Sequence, residues 1–280
     1  MSNFWTRALT GAVFVSVMMG CIWWNFWSMT GLFLMISILG LWEFYSLLKK
    51  VDFFPQVFIG LIIAPVIFFS ATIISGIYLT LEWMIVRYLL VSYPFILAFL
   101  LLFGMFIIEL FRGKNQPLIN IGITILGIIY IVFPFAILLI LSVDGSSFNP
   151  NILLGFFFLL WSNDTFAYLV GRAIGKTKLF ERISPKKTWE GFIGGGICTQ
   201  GIAYVLSIYF TELAPIHWHV VALIVSVFGT MGDLVESMFK RSLGVKNSGN
   251  ILPGHGGILD RFDGVLLSSP FVVTYLIMIR

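Results

Sequence analysis

Residues 252–279 read LPGHGGILDRFDGVLLSSPFVVTYLIMI. From Phe262 onward the stretch is mostly apolar and carries one charge, Asp263, as expected of a helix that crosses hydrocarbon. Its head is the opposite: His255, Gly256, Gly257, Asp260, Arg261 and Asp263 crowd into a few positions at the mouth of that span. Charge placed there is expensive unless it faces water or partners, so the stretch identifies both the kind of fold and the place to look for chemistry.

The rest of the chain extends the first half of that reading. Of its 280 residues, 59% are hydrophobic and only 11% charged, with a mean hydropathy of +1.00, whereas soluble domains carry about 25% charged residues. Apolar runs recur at 8–25, 31–48, 57–79, 88–111, 118–142, 151–171, 191–210, 219–239 and 262–279. In lipid each run must satisfy its own backbone hydrogen bonds, so each is expected to be a helix. The predicted fold class is an all-α, polytopic transmembrane protein of nine spans, forming a single integral membrane domain over 1–280. Within it, 1–150 reads as an apolar helical scaffold and 151–280 as the helices and loops that carry the chemistry. The first run lacks a small-residue cleavage site and is read as a retained helix.

Alternating the loops from an internal N-terminus puts Arg7, Lys49, Lys50, Arg112 and Lys114 on the cytoplasmic side. The same side receives Arg172, Lys176, Lys178, Arg182, Lys186, Lys187, Lys240, Arg241, Lys246 and Arg261. Of the 17 basic residues only Arg87 and Arg280 fall outside, so the positive-inside rule predicts N-in, C-out in the cytoplasmic (inner) membrane. The same rule accounts for the pI of about 9.1 and makes nucleic acid an unneeded partner. Trp23, Trp24 and Trp27 read as interfacial anchors. Cys21 and Cys198 both lie in apolar runs and read as free thiols.

Three cytoplasmic segments hold the polar residues of the second half. In WSNDTFAYLVGRAIGKTKLFERISPKKTWEGFIGGG, 161–196, Asp164 sits in or near a span, and the loop behind it carries Arg172, Lys176, Lys186 and Lys187. That loop reads either as an anchor on anionic headgroups or as a phosphate site built at a helix start, Lys186-Lys187-Thr188 before Glu190. Gly191 and Gly195 have the spacing of close helix packing. In GTMGDLVESMFKRS, 229–242, Asp233, Glu236, Ser237 and Lys240 share one helical face. This face is either a solvated helix end or the wall of a wet cavity at the membrane surface. In the opening stretch Asp260 and Asp263 lie on one face of a helical turn, and Gly254, Gly256 and Gly257 let backbone approach a phosphate or take positive φ. Carboxylates without a thiolate or His cluster suit a hard cation such as Mg²⁺. His255 alone is weak as a base, and His217 and His219 face the other side.

Acidic cation ligands beside many basic residues describe a phosphate-handling centre, where metal and cations neutralise charge on the group transferred. A phosphate nucleophile is already largely anionic at pH 7 and needs no strong general base. The physical reading is a membrane enzyme that joins two phosphate-bearing substrates at the cytoplasmic face.

SMFKRSLGVKNSGNILPGHGGILDRFD, Ser237 to Asp263, closely resembles the signature of the phosphatidate cytidylyltransferases, or CDP-diacylglycerol synthases. NDTFAYLVGRAIGK and ISPKKTWEG are similar to the same family, so the resemblance covers about residues 161–264. The resemblance implies that CTP and phosphatidic acid give CDP-diacylglycerol and pyrophosphate in phospholipid biosynthesis. It implies Mg²⁺, with room for a second cation, on Asp233, Asp260 and Asp263. It also implies catalytic roles for Lys240 and Arg261, and substrate contacts from Arg172, Lys176, Lys186, Lys187, Ser237, Arg241, Lys246, His255, Gly256 and Gly257. A homodimer is compatible with it. One departure stands out: Asn247 follows Lys246 where the family usually has Asp. Two other readings stay open, a CTP-dependent polyprenol or dolichol kinase, and a transporter with Asp164 and Glu43 as intramembrane ion sites.

Overall fold

The computed structural model describes residues 3–75, 84–145, 147–245, 247–249 and 256–279; the predicted contacts Lys246 and His255, with Gly254, lie outside them. The apolar runs fold as helices: α1 (Asn3–Trp24), α2 (Phe26–Lys49), α3 (Val57–Ser75), α4 (Met84–Arg112), α5 (Pro117–Ser142), α6 (Asn151–Ile174), α7 (Trp189–Tyr209), α8 (Pro215–Ser242) and α9 (Leu259–Ile279). Among the described residues seven of them, all but α1 and α4, are long and apolar enough to cross a membrane. The protein is therefore an all-helical, polytopic membrane protein. Two short hairpins interrupt the helices: β1 (Val143–Asp144) with β2 (Ser147–Phe148), and β3 (Lys178–Phe180) with β4 (Ser184–Thr188).

Local chemistry sets the helix ends. Asn25 and Ser28 form a reciprocal capping box at the start of α2, which satisfies N–H groups that the first turn leaves orphaned. Pro117 and Pro215 open α5 and α8, where a missing N–H costs nothing. Trp23, Trp24 and Trp27 are exposed, as rings at a lipid interface must be. Cys21 and Cys198 are free thiols.

The chain packs as two compact units, Met1–Asn149 with Asn247–Leu259, and Pro150–Lys246 with Asp260–Arg280. In the first, Tyr45 of α2 is fully buried between Gly60 of α3 and Gly127 of α5, where an added Cβ would strike its ring. Its hydroxyl donates to the Thr124 carbonyl at 2.7 Å. The same unit holds a buried polar network. Glu109 accepts from Gln56 Nε2 at 2.7 Å, Arg112 NH1 at 2.6 Å and Asn120 Nδ2 at 2.9 Å. Asn120 Oδ1 accepts from Phe54 N, and Thr124 Oγ1 from Gln56 N. The first half is thus more than apolar packing.

In the second unit α6 and α7 pack along small residues: at Gly195 an added Cβ would meet Ala167, and at Gly191 it would meet the Ala167 carbonyl and Gly171. The Gly-x-x-x-Gly spacing serves close helix packing, as expected. The basic loop between these helices contains the β3–β4 hairpin, with Lys178 opposite Thr188 and Phe180 opposite Ser184. α9 starts at Leu259, earlier than the run at 262, so Asp260 and Asp263 stand inside its first turns.

Candidate active site

The second unit brings its charges together where α8 meets α9. A π-helical stretch, Val225–Gly229, precedes the polar turn of α8; such stretches shift the face that follows and recur at functional sites. At Gly232 an added Cβ would collide with the Asp263 carbonyl and stand 3.2 Å from the Gly264 Cα. Only glycine lets the two helices touch backbone to backbone there. That contact puts Asp233 of α8 and Asp263 of α9 within electrostatic reach of each other, together with Glu236 and Asp164. One Asp263 oxygen, Oδ1, accepts from the Gly264 N–H at 2.7 Å.

The predicted polar face of α8 is realised. Ser237 Oγ donates to Asp233 Oδ1 at 3.2 Å. Lys240 Nζ lies 2.6 Å from Asp260 Oδ1 and 2.5 Å from Glu236 Oε2, with only 13% of its side chain exposed. A lysine this buried is held by paired charge rather than by water. Glu236 is 3% exposed, and its Oε1 finds no hydrogen-bond partner among the described residues. An orphaned buried oxygen costs about 1–3 kcal/mol, so a site that keeps one has another use for it.

The hairpin adds a second lysine. Strand β4 alternates its side chains, so Lys186 is exposed while Lys187 is half-buried and reaches Asp233 Oδ2 at 2.7 Å. Two caps fix the strand. Thr188 accepts from Gly191 N at 3.2 Å and starts α7, and the Glu190 carboxylate accepts from the N–H groups of Lys176 and Thr177 at 3.1 Å each. Asp164 of α6 completes the cluster, within reach of Lys187 and Asp233.

Among the described residues the cluster thus sets five carboxylates, Asp164, Asp233, Glu236, Asp260 and Asp263, against two lysines, Lys187 and Lys240. Negative charge in excess in a partly buried cluster is unstable without further cations. The donors are all hard oxygens: His217 is bonded to Tyr275 and His219 to Gln200. Among the described residues no three His, Cys, Asp or Glu side chains are drawn close enough to enclose a metal by themselves. The set fits Mg²⁺, which needs one or two carboxylates and takes its other oxygens from water and substrate phosphates.

Comparison with known proteins agrees with this chemistry. The model of the Cytidylyltransferase family matches residues 5–279. The chain belongs to this family. A phosphatidate cytidylyltransferase of Staphylococcus saprophyticus is 50% identical over 125 residues, 44% of this chain and 48% of that protein. Proteins of the same name from Staphylococcus aureus (strain COL) and Bacillus subtilis (strain 168) are each 52% identical, over 123 and 119 residues. For these two the match covers 43% and 41% of this chain, and 47% and 43% of the relative. The chain spans about half the length of the curated relatives it matches.

Within this family member the structure sorts the predicted site residues. Asp233, Ser237, Lys240, Asp260, Asp263 and Lys187 stand together. Arg172, Lys176 and Lys186 are exposed, apart from the carboxylate cluster, and Arg241 is exposed and donates to the Val245 carbonyl at the end of α8. Arg261 and Asn247 are exposed. Gly256 takes φ of +89°, the conformation for which glycine was expected.

Gly257 has a different reason to be glycine. An added Cβ would fall on the Glu43 carboxylate and Ser248 Oγ, and at Gly249 it would also meet Glu43. Glu43 is 4% exposed on α2 and accepts from Ile258 N at 2.8 Å and Leu259 N at 3.3 Å. Both its oxygens cap the start of α9, immediately before Asp260, and a carboxylate at a helix N-terminus is stabilised by the helix dipole. Glu43, considered above only as an ion site of a transporter, is thus a structural cap. The signal was a single carboxylate within an apolar run, which had to find donors. Nothing local said that they lay 215 residues away.

Proposed function

We propose that this chain transfers the cytidylyl group of CTP to phosphatidic acid in phospholipid biosynthesis. A phosphate oxygen of phosphatidate attacks the α-phosphorus of CTP, the α–β phosphoanhydride bond breaks, and pyrophosphate leaves with the displaced electron pair. The observation that carries this reading is the surplus of carboxylate over lysine at the α8–α9 contact, a charge pattern completed by a divalent cation and phosphates. Membership of the cytidylyltransferase family supports it, as does the name shared by the relatives.

Asp233, Asp260 and Asp263 would hold Mg²⁺, which supplies neutralisation of phosphate charge when bound, and a second cation is compatible with the remaining oxygens. Lys187 and Lys240, each on a carboxylate, are able to exchange that partner for a phosphate oxygen. Ser237 and Arg261 add donors, Arg172, Lys176, Lys186 and Arg241 would contact substrate, and the family resemblance alone assigns substrate contacts to Lys246, His255, Gly256 and Gly257. The nine helices act as nine spans of one membrane domain, N-in and C-out in the cytoplasmic membrane, so that the site opens to cytoplasmic CTP; a homodimer is compatible with this arrangement. The orientation rests on the distribution of Lys and Arg, and a C-terminal reporter fusion active only in the cytoplasm would overturn it.

The decisive assay combines purified protein, Mg²⁺, phosphatidic acid and CTP labelled in the α-phosphate. Labelled lipid with released pyrophosphate is expected. CDP release with phosphorylation of a polyprenol instead would establish the kinase reading.

A further inference from the structure

The first unit holds a cavity that the proposed reaction does not use. It measures 410 Å³ and is lined by Lys49 at the end of α2, by the 54–59 segment entering α3, and by Ile108, Arg112 and Lys114 at the end of α4. Lys49 is the last residue of α2, Arg112 the last of α4 and Lys114 lies just beyond it, and both helices run back into apolar sequence. Three cations therefore line the cavity, and Phe58, Ile59 and Ile108 supply apolar lining. Phe58 is 80% exposed, an exposure that suits hydrocarbon and not water.

The wall is stiff. Gln56, which lines it, is held by its backbone N–H to Thr124 Oγ1 and by its side chain to the Met105 carbonyl and Glu109. Arg112 is fixed by Glu109 and by the Phe54 carbonyl, 2.9 Å away. Lys114 Nζ lies 5.1 Å from the centre of the Phe54 ring, a cation–π distance. Glu109 pairs with Arg112 and accepts from Gln56 and Asn120, so the surplus charge at the cavity comes from Lys49 and Lys114. The cavity keeps a positive surplus beside an apolar wall, and its shape is set before any ligand arrives.

We infer that this cavity binds one anionic phospholipid, its phosphate among Lys49, Arg112 and Lys114 and an acyl chain against Phe58, Ile59 and Ile108. A free anion would use the cations but leave the apolar wall unoccupied; a neutral lipid would do the reverse. The inference stands apart from the proposed reaction, because every residue it uses lies in the first unit.

The test is native mass spectrometry of the full chain, titrated with phosphatidylglycerol or with phosphatidylcholine of the same acyl chains. Phosphatidylglycerol should bind at least about tenfold more tightly. The double variant Lys49→Ala, Lys114→Ala should lose one bound phosphatidylglycerol per chain, with affinity at that site falling about 30-fold, as expected for two surface cations. Neither lysine takes part in the buried network, so the thermal midpoint should not move. Lys50→Ala, off the cavity, should change affinity by less than about twofold, since its charge is screened. Equal binding of phosphatidylcholine would overturn the inference, and so would a loss with Lys50→Ala matching that of the double variant. Displacement by millimolar inorganic phosphate would mean a free-anion site instead, and would also overturn it.

Discussion

Each unit gathers a group of polar and charged side chains, and the two groups are built on opposite plans. In the first, Glu109 is surrounded by donors, with Gln56, Arg112 and Asn120 on its two oxygens, and Arg112 balances its charge. In the second, Lys187 and Lys240 pair with Asp233, Glu236 and Asp260, Asp164 and Asp263 stand within electrostatic reach of that group, and a buried Glu236 oxygen has no partner among the described residues. A satisfied network rigidifies the fold. A cluster that keeps surplus charge is a liability to the fold, and its natural complement is a ligand of opposite charge. The contrast separates scaffold from site without reference to any relative.

Asp260→Asn should break that contrast most strongly. With one carboxylate fewer in the proposed cation site, cytidylyl transfer should fall at least about 10²-fold, or roughly 2.7 kcal/mol, while the variant still inserts and keeps its thermal midpoint in detergent. Retained activity at ordinary Mg²⁺ would return Asp260 to the role of a mere partner for Lys240.

The mirror experiment is Glu109→Ala. It strands Arg112, Gln56 and Asn120 and should cost about 2 kcal/mol of stability, read as a lower thermal midpoint, with Mg²⁺ dependence unchanged in the protein that stays folded. A shifted metal dependence would mean that the first network is part of the chemistry.

Lys187→Ala sharpens the division within the hairpin. Turnover or apparent CTP or phosphatidate affinity should fall about tenfold, the scale of one charge-assisted contact, in neutral and anionic bilayers alike. A defect confined to anionic bilayers would make the lysine a surface anchor. Lys186→Ala, on the exposed side of the same strand, should do less.

The smallest effect is expected at Asn247. The residue is exposed, Asn shapes the same turns as Asp, and Asp233, Asp260 and Asp263 already supply carboxylates. Asn247→Asp should change the rate by less than about threefold across a Mg²⁺ titration, a cost of well under 1 kcal/mol. A protein silent until Asp is introduced would show that this position carries an essential charge.

Hydropathy and charge along the chain were enough for the membrane class, the helical runs, the concentration of charged residues after residue 160 and the shared face of Asp233, Glu236, Ser237 and Lys240. These are local properties, because each helix satisfies its own backbone and each periodicity is read within one element. The crossing of helices decided the rest. Gly232 gives no sign in sequence that it meets the Asp263 backbone; adjacent Lys186 and Lys187 look alike until strand pairing sends them to opposite sides. Glu43 reads as an ion site until its donors arrive from the far end of the chain, and Gln56, Arg112 and Asn120 close around Glu109 only through the packing of α3, α4 and α5. A buried carboxylate must find donors, and that much follows from its burial. Which donors it finds depends on how rods distant in sequence pack.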